Sequence, residues 1–73
     1  MTYKELTKFL RDVRKKQQLK MTDLAVSIGV HTASIGNWEC AGRTPTLFNL
    51  QAWANALGYD LEFILTPKPK KHD

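Results

Sequence analysis

One predicted helix of this 73-residue chain has small and polar residues on the side opposite its apolar residues. A helical projection of residues 32–39 puts Ile35 and Trp38 on one side. The opposite side carries Thr32, Ala33, Gly36 and Asn37. Amide, hydroxyl and methyl groups match those that base pairs present in the DNA major groove, and a glycine permits close approach. These four residues are therefore predicted to contact DNA bases, the alternative being that they are ordinary exposed helix residues.

The elements around this helix form two short helices joined by a turn that contains glycine. The earlier helix is predicted over Met21–Ile28, where Leu24 and Ala25 lie on the inward side. Gly29 suits the left-handed conformation that ends a helix. The helix Thr32–Glu39 follows. Two helices joined in this way are typical of helix-turn-helix units, whose second helix enters the major groove.

Two further helices are predicted, one on each side of this unit. Thr2 and Glu5 have the spacing of a capping box, so a helix is expected to begin at Tyr3. Thr46 is expected to cap a last helix over residues 47–57. The apolar residues expected to face the core are Leu6, Phe9, Leu10 and Val13 in the first helix and Leu47, Leu50, Trp53, Ala54 and Leu57 in the last.

The first helix also carries a line of cations on its other side. At helical spacing these residues are Lys4, Lys8, Arg11 and Lys15. The pattern has two interpretations: a solvated helix face, or a rim that faces DNA phosphates.

Residues 59–66 change to an alternation of apolar and polar residues, which is typical of a β-strand. A single strand in a helical chain lacks a pairing partner, and the same strand of a second copy would satisfy its backbone groups. We therefore predict a homodimer. The expected interface residues are Tyr59, Leu61, Phe63 and Leu65. The alternative is an extended segment that packs on the chain's own helices.

Composition limits the other possibilities. The net charge of +4 and pI near 9.5 favour a polyanionic partner. Cys40 is the single cysteine, which excludes an internal disulfide and a four-ligand zinc site, and we expect it to be at least half-buried. Neither a transmembrane segment nor a signal peptide is predicted, so we expect a cytoplasmic protein with no membrane partner. No catalytic constellation or phosphate-binding loop is found, so we expect neither an enzyme nor a cofactor.

An ordered set of short motifs resembles the XRE/Cro-type helix-turn-helix family, to which lambdoid phage repressors and several antitoxins belong. The matching motifs are Val13-Arg14, Leu24-Ala25, Gly29-Val30, Ile35, Trp38-Glu39 and Arg43-Thr44-Pro45. The resemblance covers about residues 6–58 and implies an all-α, four-helix lambda repressor-like DNA-binding domain. Residues 59–65 resemble the extension of antitoxins of the HipB kind, in which two such strands pair across the dimer. The expected divisions are a DNA-binding domain (1–58), a dimerisation strand (59–66) and a disordered basic tail (67–73).

The resemblance also implies roles for individual residues. Arg14 and Glu39 match a largely buried ion pair that ties the first helix to the end of the third. Thr32, Ala33 and Asn37 match positions that face the groove. The residues expected to contact phosphates are Lys20, Met21, His31, Ser34, Arg43 and Thr44.

The chain departs from the family pattern at the start of the second helix, at His31, where Ser or Thr is common, and in the loop after the third helix. The family usually has Thr or Ser and then Gln where this chain has Lys20 and Met21. That Gln commonly fixes the helix on the DNA backbone, and Lys20 can replace it with a salt bridge to phosphate. Gly42 lies one residue later than the family's loop glycine, whose place is taken by Ala41.

These features predict a transcriptional regulator, a repressor, that binds double-stranded DNA. It is expected to bind a palindromic operator as a homodimer through residues 32–39. The alternative is an antitoxin of a type II toxin-antitoxin pair, which binds its toxin protein and represses its own operon. A helical domain that binds only proteins would not account for Arg43, Gly36 and the cationic face together.

Overall fold

Four helices make up the fold of residues 1–70, the part of the chain that the computed structural model describes. They are α1 (Tyr3–Lys16), α2 (Met21–Ile28), α3 (Thr32–Glu39) and α4 (Leu47–Ala56). The predicted start of α1 and both bounds of α2 and α3 agree with the structure. The last helix ends one residue before the predicted position, because Leu57 has φ −95° and ψ 2° and serves as its C-cap.

The outer two helices begin at threonine caps. The Oγ1 of Thr2 accepts a hydrogen bond from the backbone N–H of Glu5 at 3.2 Å. The Oγ1 of Thr46 accepts one from the backbone N–H of Asn49 at 3.1 Å. Each bond satisfies one of the N–H groups that a helix start leaves without a partner. Local contacts thus help to stabilise the first turns of α1 and α4.

The core forms where α2, α3 and α4 pack together beside α1. Its buried apolar residues are Leu10, Leu24, Ala25, Ile35, Trp38, Leu50, Trp53, Ala54 and Leu57. The rings of Trp38 and Trp53 lie 5.6 Å apart between centroids, inclined by 39°. Aromatic rings in such offset arrangements add to the stabilisation that burial provides. This contact fixes α3 on α4.

Two residues expected in the core are more exposed than the prediction allows. Phe9 keeps 37% of its surface exposed and packs edge-on against Tyr59, with ring centroids 5.3 Å apart. Leu47 keeps 65% of its surface exposed. It is the first residue of α4, and a helical side chain is directed towards the start of its helix, so few residues of α4 itself cover it. Helical spacing defines a side of a helix but not how far the neighbouring elements cover it.

Residues 59–66 do not form a strand in the described part of the chain, contrary to the prediction. The reason is that a strand needs a partner for its backbone groups, and the neighbours of this segment are helices. Among residues 1–70, the backbone of residues 60–70 takes part in one hydrogen bond, from Nε2 of Gln51 to the carbonyl of Leu61 at 3.2 Å. Of the predicted disordered tail, residues 71–73 lie outside the described part.

No helix within residues 1–70 is both long and apolar enough to cross a membrane.

Candidate nucleic-acid interface

The helix α3 buries one side and presents the other to solvent. Ile35 has no exposed surface and Trp38 has 5% exposed, so the apolar side is fixed in the core. Thr32 and Ala33 are exposed, and Gly36 and Asn37 are half-buried. The structure therefore brings the four predicted base-contacting residues to one continuous side of α3.

Open space surrounds Gly36. Within residues 1–70, no heavy atom of a neighbouring group lies within 4 Å of the position that a Cβ would occupy at this residue. Packing within the chain thus does not require a glycine here. A glycine inside a helix costs about 1 kcal/mol of stability relative to alanine.

Asn37 links the exposed side of α3 to the turn that follows. Its carbonyl accepts hydrogen bonds from the backbone N–H groups of Gly42 at 2.8 Å and Arg43 at 3.2 Å. Its side-chain amide makes no hydrogen bond to residues 1–70. The amide remains able to donate and to accept, and the Arg43 backbone is held to the same helix.

The predicted phosphate-contacting residues occupy two helix starts and one turn. Lys20 and His31 are exposed N-caps of α2 and α3, and neither caps its helix through its side chain. The first N–H groups of an uncapped helix can bind an anion. Arg43 and Thr44 are exposed in the turn before α4.

The other two predicted phosphate contacts, Met21 and Ser34, are less exposed than these four residues. The side chain of Met21 packs against the core, so only its backbone N–H can reach a phosphate. Ser34 is half-buried, and its backbone N–H donates to the carbonyl of His31 at 2.9 Å. Only its hydroxyl group is left for a phosphate contact.

Arg14 and Glu39 form a buried ion pair that joins α1 to the end of α3. The Arg14 Nε donates to Oε2 of Glu39 at 2.6 Å, and Nη2 donates to Oε1 at 3.0 Å. The third guanidinium nitrogen, Nη1, donates to the carbonyl of Leu19 at 2.9 Å. The side chains of Arg14 and Glu39 are only 9% and 3% exposed. Such a bidentate pair fixes both position and orientation.

The pKa of Arg14 is raised above its ordinary value. The main cause is the hydrogen bond to Glu39, which raises the pKa. Burial lowers the pKa because it disfavours the charged form, and the negative charge of Glu39 raises it further. A cation with a raised pKa adds stability that is lost only when the pH rises through that value. For arginine this lies far above neutral pH, so the guanidinium keeps its charge at neutral and acidic pH.

The environments of two side chains were not predicted from the sequence. The Nε2 of Gln17 donates to the carbonyl of Leu57 at 2.9 Å and so joins the end of α1 to the end of α4. Cys40 was expected to be at least half-buried but is exposed. It is the C-cap of α3 and lies beyond the last core residue of that helix, with its Sγ 3.7 Å from the carbonyl of Asn37. No local sequence pattern marks either contact.

The four predicted interface residues of the C-terminal segment differ in exposure. Tyr59 is 45% exposed and Phe63 50% exposed, and Leu61 is half-buried against the core. Leu65 is 98% exposed. Three of these side chains therefore cover their own domain in part, whereas Leu65 has nearly its whole surface available.

A family model described as helix-turn-helix matches residues 10–64, which is most of the chain. No curated protein and no solved structure matched the chain in the corresponding comparisons. The matched range contains α2, the turn, α3 and the whole of α4.

Proposed function

The chain belongs to the XRE/Cro-type helix-turn-helix family of DNA-binding domains, and from this we propose that it is a transcriptional repressor that binds a palindromic operator as a homodimer. The observation that carries the proposal is the exposed side of α3, which has Thr32, Ala33 and Asn37 available and its opposite side fixed in the core. A helix presented in this way can enter the major groove as a rigid unit.

The exposed side of α3 provides few long polar side chains for reading bases. Asn37 offers a pair of hydrogen bonds suited to adenine, and Thr32 and Ala33 offer methyl groups suited to thymine. Phosphate contacts by Lys20 and Arg43, together with DNA shape, supply a larger share of the affinity. Binding is therefore expected to weaken steeply with salt.

The homodimer is supported by the C-terminal segment. The backbone of residues 60–66 lacks ladder hydrogen bonds in the described chain, and Ile64 and Leu65 are 86% and 98% exposed. An unpaired extended backbone with apolar side chains favours pairing with another strand. A second copy offers the same segment, and a twofold axis would then place the two α3 helices about 34 Å apart, one turn of DNA.

Selection of bound sequences from random duplex DNA tests this function. The purified chain, at moderate salt, is expected to enrich a palindrome whose half-sites are about one helical turn apart. Enrichment of a single half-site would contradict the dimer, and recovery of unenriched DNA would contradict sequence-specific recognition.

The variant Asn37→Ala tests whether α3 reads bases. Loss of the amide is expected to weaken binding to the selected site by about 1–3 kcal/mol while affinity for random DNA changes little, and to relax the preference at one base pair per half-site. The matched control is Asn55→Ala, the same change at an exposed position of α4. Equal losses on selected and random DNA would make Asn37 a backbone contact instead.

An antitoxin that also represses its own operon is the second candidate. The observation that favours it is the exposed apolar surface at the start of α4 and on the C-terminal segment, where Phe48 and Leu65 are 78% and 98% exposed. Leu47 and Phe63, from these two elements, line one groove, and contiguous exposed apolar groups mark protein-binding surfaces. The product of the gene that adjoins this one in the operon should then be toxic when it is expressed alone. Co-expression of this chain should relieve that toxicity and give a stable complex of the two proteins. Unrelieved toxicity, or a gene product that is harmless alone, would exclude this function.

A further inference from the structure

A groove of about 400 Å³ lies between the first half of α1 and the C-terminal end of α3. We call it the basic groove. Its lining includes Lys4, Lys8, Arg11, Glu39, Cys40 and Ala41. Three of the four cations on the cationic face of α1 therefore line the basic groove. The fourth, Lys15, does not.

The charge in the basic groove is largely uncompensated. No carboxylate among residues 1–70 lies within 4.0 Å of the ammonium groups of Lys4 and Lys8. The Nε of Arg11 is 3.8 Å from a carboxylate oxygen of Asp12 and is buried without a hydrogen-bond partner. The carboxylate of Glu39 is already engaged by Arg14. The groove thus presents a positive surface suited to an anion.

The basic groove reaches the turn that follows α3. Cys40 and Ala41 form its edge, and Arg43 follows after one further residue. The backbone N–H groups of Gly42 and Arg43 both donate to the carbonyl of Asn37, which ties the turn to the end of α3. A DNA strand whose phosphate contacts Arg43 would continue towards Lys8 and Lys4.

We propose that the basic groove binds phosphates of the DNA strand that passes Arg43, outside the base pairs contacted by α3. This inference rests on the proposed DNA-binding function and extends its footprint to α1. The contacts are electrostatic and independent of base sequence, so they add to affinity on any DNA and to its salt dependence. Lys4 and Lys8 are the principal contacts, because both are exposed and neither has a carboxylate partner among the described residues.

A structural role for these lysines predicts a different result. The last turn of α3 contains no basic residue, and cations near a helix C-terminus interact favourably with its dipole. If Lys4 and Lys8 served only this purpose, their removal would lower the thermal unfolding temperature and leave the salt dependence of DNA binding unchanged.

The experiment measures the binding constant for a labelled mixed-sequence duplex, about three helical turns long, over a range of salt concentrations. The wild type is compared with Lys8→Ala, with Lys4→Ala/Lys8→Ala and with the matched control Lys16→Ala. Lys16 is on the same helix but lines a different groove, beside Phe9 and Tyr59. Alanine favours the helical conformation, so all variants are expected to fold, and thermal unfolding checks this.

Loss of one phosphate contact is expected to reduce the slope of log K against log salt by about 0.9 per protomer, and loss of two by about 1.8. Lys16→Ala is expected to keep a slope close to that of the wild type. If Lys8→Ala and Lys16→Ala changed the slope equally, or if the double variant kept the wild-type slope, the proposal that the basic groove binds phosphates would be overturned. The proposed DNA binding would stand. If the wild type bound no duplex DNA, the proposed function would be overturned, and with it the proposal that the basic groove binds phosphates.

Discussion

Arg14 joins three parts of the domain through its side chain. Its guanidinium group joins α1 to Glu39 at the end of α3 and to the carbonyl of Leu19 before α2. Since both charges are buried, removing either partner leaves an uncompensated buried charge. The spacing of these two residues, 25 positions apart, gave no reason to pair them, and only the family resemblance suggested it.

Replacement of Glu39 by alanine is expected to lower the free energy of unfolding by about 3–5 kcal/mol. Urea unfolding followed by tryptophan fluorescence measures the change. The control is Asp12→Ala, which breaks an exposed 3.8 Å contact to Arg11 and should change stability by less than about 1 kcal/mol. If Glu39→Ala unfolds the domain outright, the double variant Arg14→Met/Glu39→Leu should restore folding, because it removes both charges. A Glu39→Ala variant as stable as the control would contradict the role of the pair.

At Gly36, stability and DNA binding are expected to change in opposite directions. Gly36→Ala should raise the free energy of unfolding by about 0.5–1 kcal/mol, because alanine favours helix and open space surrounds the new methyl group. The same methyl group should weaken binding to the selected DNA, since it separates α3 from the bases. Chemical unfolding and DNA titration measure the two effects.

Ser27→Ala is the matched comparison for Gly36. It improves helix propensity at an exposed position of α2, outside the predicted DNA contacts. It should therefore stabilise the domain without loss of DNA affinity. If Gly36→Ala also kept full affinity, close approach of α3 to DNA would not be the reason for the glycine.

At the scale of the elements, three helices end in the same backbone arrangement. After α1, α3 and α4, two successive N–H groups bond back to carbonyls in the last turn, as in a Schellman motif. The motif needs a left-handed residue, and these are Gln18 at φ 57°, Ala41 at φ 60° and Gly58 at φ 93°. Only the last is a glycine, the residue that adopts this conformation without steric cost.

Ala41→Gly is accordingly expected to raise the free energy of unfolding by about 0.5–1 kcal/mol. Gly58→Ala should lower it by a similar amount, which gives an internal control of opposite sign. Thermal and urea unfolding of both variants provide the measurement. A loss of stability in Ala41→Gly would mean that the greater freedom of glycine in the unfolded chain outweighs the relief of strain.

At the scale of the whole molecule, the domain is small and leaves much apolar surface uncovered. Among residues 1–70 the core contains nine buried apolar residues, whereas Leu47, Phe48, Ile64 and Leu65 are each at least 65% exposed. A domain of this size gains little stability from its own core. Association of two copies through the C-terminal segment would cover part of this surface.

Leu65→Asp is the sharpest test of that association. Because Leu65 is 98% exposed, the change should leave the folded domain intact and shift the sedimentation mass from dimer to monomer. Phe63→Asp is less selective, since Phe63 also lines a groove of its own domain with Tyr3 and Leu6. The matched control is Val26→Asp, the same kind of change at an 81% exposed position of α2. A Leu65→Asp variant that sediments like the wild type would rule out pairing through this segment.

The amino-acid sequence by itself determined where α2 and α3 begin and end, because glycine turns and helical periodicity act between residues close together in the chain. It also determined which side of α3 is exposed, since Ile35 and Trp38 mark the opposite side. The tertiary structure decided the rest. Whether Phe9 and Leu47 are covered, and which cations line a groove with Cys40, depend on how distant elements pack, and helical spacing carries no information about that packing. Strand pairing by residues 59–66 depends on a partner outside the helices of this chain, and for that reason periodicity alone did not produce a strand.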